Sequence, residues 1–275
     1  LLTPAPDVTP RVGRLLGLVA PHLDYPRGRP CYADAYGDLA EFTEARRFVV
    51  LGTNHFGTTT GVVGTRKDFE TPFGSVSCDA AFMGRLERAL DADLCVGELD
   101  HRREHSVELQ VHLLRHALGA RPFSIAPYLC PDPCGPTGTA PRDGCGVDLK
   151  RFAEVLGELI AADDTPTCII AAADLSHVGA FFQDETELDA DSLSRVEASD
   201  RGLLRQLERG APETFRASVA ERGNVTNICS VGCIFALATA LGGRARAVVR
   251  RYHQSVTAEI GNCVTCAAMD YVAAD

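Results

Sequence analysis

The sequence predicts a single α/β domain with a mixed central sheet flanked by helices, and three observations carry that expectation. Short apolar runs bounded by Gly, Pro or Asn recur at residues 15–20, 48–51, 123–130 and 167–173, each of the length of a buried strand. Helically spaced stretches lie between them, which gives a βαβ beginning. A chain of 275 residues, 45% hydrophobic and 23% charged, can bury one large core, and no composition break forces a second domain. Residues 1–275 are therefore read as one domain.

The first run is stopped by Pro21, so a buried strand ends at Pro21 and His22. Residues 32–42 have helical spacing. A second strand runs from Arg47 into the tight loop Gly52-Thr-Asn-His-Phe-Gly57. Chemistry in open α/β sheets collects where strands end, so His55 stands where a functional histidine belongs. Residues 61–64 and 69–78, with Thr71-Pro-Phe-Gly74 among them, read as short antiparallel pieces around a turn. Residues 80–90 are helical. The charged stretch 100–104 leads into a helix over 105–116, whose apolar positions 107, 109, 111, 113, 114 and 118 mark a partly buried face. Residues 123–130 form a strand, and 131–146, rich in Pro, Gly, Asp and Thr, form a loop insertion. A helix over 148–162 precedes the strand 167–173, which ends in Asp174-Leu-Ser-His177. The acidic stretch 184–191 opens a helical region through 206, and 212–220 forms another short helix. Asn227-Ile-Cys-Ser230 precedes an apolar helix over 231–241 that Gly242 and Gly243 stop. Strands over 245–253 and 262–272 close the sheet.

A formal net charge of −10 without a dense Lys/Arg run argues against nucleic acid or an anionic membrane as a main partner, because both need a basic footprint. A small molecule or a protein fits better. No apolar run approaches the ~20 residues that span a bilayer. The chain begins with Leu1 rather than Met, which leaves room for a leader or a short first element ahead of it. Eleven cysteines cannot all pair within one molecule, and most lie in apolar runs, as reduced buried thiols of a cytoplasmic protein do. Cys130, Cys134 and Cys145 stand apart, in the Gly/Pro-rich segment. Their spacing matches no ordinary zinc module, so a surface disulfide or free thiols is the reading taken. Cys263 and Cys266 have CxxC spacing inside an apolar strand, where their side chains point to opposite faces, and are read as core. Cys233 is read as packing, with a redox partnership to Cys229 as the alternative. His101, His112, His116 and His253 are read as structural or surface residues.

His22, His55, Asp174 and His177 each follow an apolar strand, while Cys229 sits at the N-terminal edge of a helix. A helix N-terminus lowers a thiol pKa, and the thiolate is the form that binds metal. Two imidazoles and a thiolate can hold Fe(II), Cu or Zn and leave positions open for a substrate or O₂. Plainer roles stand beside this one: a satisfied loop histidine, a small buried Cys229, an Asp174 that caps a turn, a surface His177.

Five ordered blocks then point to a family. Ala20-Pro-His-Leu-Asp-Tyr25, Leu51-Gly-Thr-Asn-His55, Glu104-His-Ser-Val-Glu108, Ala173-Asp-Leu-Ser-His177 and Asn227-Ile-Cys229 resemble the signature blocks of the Memo family, which is similar in fold to the class III extradiol dioxygenases. The resemblance spans nearly the whole chain. It implies that His22, His55 and Cys229 are the metal-binding trio, that Asp174 and His177 are the family's Asp-x-x-His pocket pair, and that His105 is the histidine beside the metal. In the related dioxygenases a carboxylate completes the 2-His-1-carboxylate set for Fe(II). Cys229 stands in the corresponding place, a softer and more oxidisable ligand. The family's usual first segment carries an Ala-Gly-x-Trp-type motif, and this chain has no Trp.

The resemblance thus implies a non-haem metal-dependent oxidoreductase that uses O₂ on a small organic substrate. Fe(II) is the implied cofactor, with Cu or Zn as alternatives, and His105, Asp174 and His177 are the catalytic residues. Two other classes compete. One is a metal-binding redox or signalling effector, or a ligand-binding protein, without turnover; the other is a hydrolase using metal-bound water, which would persist with zinc and without oxygen.

Overall fold

The computed structural model describes residues 2–4, 8, 10–184 and 187–274. Its elements follow one another as β1 (Leu15–Ala20), α1 (Tyr25–Tyr36), α2 (Leu39–Phe42), β2 (Arg47–Thr53), β3 (Val63–Gly64), β4 (Ser77–Cys78), α3 (Ala80–Leu90), α4 (Ser106–Leu118) and β5 (Ser124–Cys130). The second half continues with α5 (Leu149–Ala161), β6 (Thr167–Ala172), β7 (Asp174–Val178), α6 (Ala190–Glu208), α7 (Pro212–Glu221), α8 (Val231–Leu241), β8 (Ala245–Thr257) and β9 (Asn262–Ala273).

All the described strands belong to one mixed sheet, ordered β3-β5-β2-β6-β1-β9-β7, with β4 beside β5 and β8 beside β9. The central strands β5, β2, β6 and β1 are parallel, and β9 runs antiparallel to β1. Buried parallel strands need both faces covered, which is why their sequences are continuously apolar rather than alternating. On one face Phe82 and Met83 of α3, Phe152 and Leu156 of α5, Phe215 of α7 and Ile234 and Phe235 of α8 pack against Val49, Leu51, Ile169 and Ala171. On the other, Tyr32 and Tyr36 of α1, Leu39 of α2 and Val107, Val111 and Leu114 of α4 cover Leu18, Phe48, Val50 and Ile170. Each such fully buried aliphatic or aromatic side chain contributes roughly 1.5–3 kcal/mol. Gly52 lets α4 come close to the sheet, since a Cβ there would meet Ser106 Oγ at 2.5 Å.

Several expectations shift in detail. The helix expected over 32–42 starts earlier, at Tyr25, and stops at Tyr36. Asp24 caps it through the Arg27 N–H at 3.1 Å, and Pro26 lies in the first turn, where no N–H is needed. The pieces around residues 71–74 do meet as an antiparallel bridge, Phe69 to Val76, but β3 and β4 each pair with β5 instead of with one another. Asp174 and His177, expected to follow the strand over 167–173, do follow β6 but are themselves in a strand. They lie in β7, which pairs antiparallel with β9. Residues 185 and 186 of the acidic stretch 184–191 lie outside the described residues, and α6 starts at Ala190 under an Asp189 capping box. The described part of the chain holds no helix long and apolar enough to cross a membrane.

Candidate functional site

Because β2, β6 and β1 are adjacent and parallel, their carboxyl ends open onto one edge of the sheet. His22 lies just past β1, His55 just past β2, and Asp174 at the start of the strand that follows β6. The loop carrying His22 is pinned from several sides. Gln110 Nε2 donates to Pro21 O at 2.7 Å, Tyr32 OH to Leu23 O at 2.8 Å, and the Asp174 carboxylate accepts the His22 and Leu23 amides at 3.1 and 3.2 Å. Asp174 is thus a turn cap, but of the turn after β1 rather than of its own.

Cys229 arrives from the turn before α8. Asn224 and Asn227 there take left-handed backbone angles (φ 49° and 52°), which Asn tolerates better than most residues. The Asn224 amide bonds both the N–H and the carbonyl of Ile228 at 2.9 Å. Cys229 Sγ ends 3.4 Å from His22 Nε2, and ligand atoms of His22, His55 and Cys229 all lie within 4.8 Å of one another.

Both imidazoles have Nδ1 engaged. His22 Nδ1 donates to the Ala172 carbonyl at 3.0 Å, and His55 Nδ1 to the Glu104 carboxylate at 3.1 Å. The Nε2 lone pair of each is thereby left available, as metal-ligating histidines require. Burial and the neighbouring His55 push the His22 pKa down to about 3, so its ring is neutral near pH 7. Two imidazole nitrogens and a sulfur that close together fit a soft or borderline metal ion.

One expectation is reversed. The helix N-terminus was to lower the Cys229 pKa, whereas burial and the nearby Asp174 carboxylate raise it. The thiol therefore stays protonated and donates to His22 Nε2; a metal ion would have to displace that proton.

Glu104 is the residue that the sequence reading quoted without giving it a role. Its carboxylate accepts the His55 backbone N–H and those of His105 and Ser106, all at 2.9 Å, besides the His55 ring. Burial opposes ionisation, yet these hydrogen bonds hold its pKa down to about 2. Ser230 was also passed over. Its hydroxyl meets Thr53 Oγ1 at 3.2 Å, the Asp174 N–H at 3.2 Å and Cys229 Sγ at 3.2 Å, tying three of the converging segments together.

A cavity of about 750 Å³ opens over this edge. His22, His55, His105, Asp174 and His177 all line it, so the structure brings every sequence-proposed catalytic residue to one chamber; Cys229 sits behind His22. His105 stacks on His55 with ring centroids 5.2 Å apart. His177 donates from Nδ1 to Leu175 O at 3.0 Å and stands edge-on to Phe182. Burial raises the Asp174 pKa to about 6 and lowers that of His177. Leu109, Phe181, Phe182, Ile260 and Val264 make much of the wall apolar, and Arg27 and Asp24 sit at its rim.

None of residues 131–146 lines the cavity. Cys130, Cys134 and Cys145 do not form one group: Cys130 is the buried last residue of β5, Cys134 is half-buried and Cys145 exposed, and all three are free. Cys130 belongs with Cys233, whose thiol also lies 3.5 Å from Thr53 Oγ1. Cys263 and Cys266 are buried on opposite faces of β9.

The family model described as Memo-like protein matches residues 2–270. Among curated proteins, the chain is 29% identical to a MEMO1 family protein of Methanosarcina mazei over 250 residues, 89% of this chain and 80% of that one. It is 29% identical to a MEMO1 family protein of Methanococcoides burtonii over 82% and 74% of the two chains. A MEMO1 family protein of Methanococcus maripaludis is 35% identical over a shorter stretch, 37% of this chain and 36% of that protein's own length.

Proposed function

The chain belongs to the Memo family, and from that premise we propose that it is a non-haem metal-dependent oxidoreductase acting with O₂ on a small organic molecule held in the cavity. The observation that carries the proposal is the convergence of His22, His55 and Cys229 within 4.8 Å, with both Nδ1 atoms engaged elsewhere. Fe(II) is the ion proposed, with Cu or Zn as alternatives, because an N₂S set suits borderline and soft ions. When bound, such an ion supplies a Lewis acid and, for iron or copper, a one-electron couple for O₂.

The chain's own residues would do the rest. Glu104 holds the His55 ring in one orientation and tautomer, and Ala172 O does the same for His22. Asp174, with a pKa of about 6, can hold or release a proton close to neutral pH, and the neutral His177 beside it can accept one. His105, partly exposed on the cavity wall, would exchange protons between substrate and solvent. The apolar wall of Leu109, Phe181, Phe182, Ile260 and Val264 would hold the apolar body of a substrate.

The test is metal content after anaerobic purification, for wild type beside Cys229→Ala and His55→Ala, followed by O₂ uptake with catechols and thiols. Stoichiometric iron in wild type, lost in both variants, with O₂ consumed, is the expected result. Metal absent, or unchanged in the variants, would sink the metal site; metal present without O₂ uptake would leave a binding protein.

A further inference from the structure

Asn262 is the first residue of β9, directly after the left-handed Gly261 (φ 59°) that ends the β8–β9 connection. Strand alternation puts it on the same face as Val264, and both line the cavity. Asn262 is only 4% exposed, and its Oδ1 is buried without any hydrogen-bond partner. Among the described residues lining the cavity it is the one side chain so left; the other buried orphans, on Tyr128, Gln206, Thr239 and Tyr271, lie elsewhere. Buried polar groups in native proteins are nearly always satisfied, so an orphan acceptor in a cavity wall marks where a donor from outside belongs.

We propose that Asn262 is a substrate-binding residue whose Oδ1 accepts a hydrogen bond from a hydroxyl or amine on a compact, apolar-bodied ligand. The proposal rests on reading this cavity as the substrate site. The surroundings match the ligand class. Val264, Ile260, Leu109 and Phe182 offer apolar contact for the body, and Asn262 is the polar residue between Ile260 and Val264 in the same wall. A site built around a lone polar group discriminates against the analogue that lacks its complement, because the protein group is then left unpaired.

Phenol and anisole serve as probes, since they share a ring and differ in the donor. Binding to the full chain as purified is followed by NMR titration for wild type, Asn262→Leu and Asn262→Ala. Wild type should prefer phenol over anisole by roughly two- to tenfold. Both variants should lose that preference while still binding anisole. Asn262→Leu should melt no lower than wild type, because it removes an unsatisfied acceptor. Equal binding of the two probes by wild type, or a phenol preference that survives in the variants, would overturn the proposal. So would loss of anisole binding together with a lowered melting temperature in both variants, which is the behaviour of a structural Asn. Metal content is read separately: a metal-free protein that still shows the Asn262-dependent preference would sink the oxidoreductase reading and leave this one standing.

Discussion

Two polar side chains on one face of β9, eight residues apart in sequence, have opposite fates. Asp270 sits in a closed ionic cluster under the C-terminal end of α1. Arg11 Nε and Nη2 each reach its carboxylate at 2.8 Å, Arg250 Nε lies at 3.6 Å, and both arginines also bond Asp38. Arg250 reaches the cluster because β8 carries an extra residue between Val249 and Arg251, a bulge that re-aims it. Asn262, at the other end of the face, has an unmatched oxygen, and two imidazole nitrogens and a thiol converge in the same chamber region with no charge matched against them as Asp270 is matched. The same helix and strand thus close on themselves at one end and stay open at the other. Charge that is fully matched holds the fold; polar atoms kept unmatched are available to a ligand.

The largest expected effect is on the closed end. Asp270→Ala leaves Arg11 and Arg250 short of a buried partner and should cost about 3–5 kcal/mol in urea denaturation. A loss below about 1 kcal/mol would show that the cluster is not what binds α1 to β9. At the open end, Glu104→Gln removes the carboxylate that three backbone N–H groups and His55 face, so it should lower stability at neutral pH and weaken metal retention in chelator competition by about 10–100-fold, because His55 loses the group that orients it. Unchanged retention would separate Glu104 from the metal site. Ser230→Ala, which unties Thr53, Asp174 and Cys229, should cost roughly 1 kcal/mol in the same denaturation assay. The smallest effect is in pH. The Glu104 pKa in the folded chain lies at about 2, below its ordinary 4.5, so its contribution is complete above that ordinary value and fades as pH falls toward 2. Acid unfolding of metal-free protein should therefore be shallower in Glu104→Gln over that window, and superimposable curves would contradict it.

Much of this was legible from residues alone. Apolar runs ending at Pro21, Thr53 and Ala173 gave the parallel strands, and the blocks around His22, His55 and Cys229 gave the family. What stayed hidden had a common cause. Glu104 acts on His55 across 49 positions, and Ser230 on Thr53 across 177, so neither partnership has a local pattern to read. The start of α1 was missed because Pro26 and Pro30 look like breakers, although Asp24 caps the turn ahead of them.

The sequence by itself determined the sheet's central strands, the helices between them and the residues at the strand ends, because hydrophobic periodicity and turn chemistry act over a few positions. It could not determine protonation. A cysteine near a helix start reads as a ready thiolate, and only the packed structure, with burial and the Asp174 carboxylate beside it, raises its pKa instead. Nor could it show which polar groups remain without partners, since satisfaction is a property of three-dimensional neighbours. Those two features, a Cys229 pKa raised by its neighbours and an Asn262 oxygen without a partner, were decided by tertiary structure.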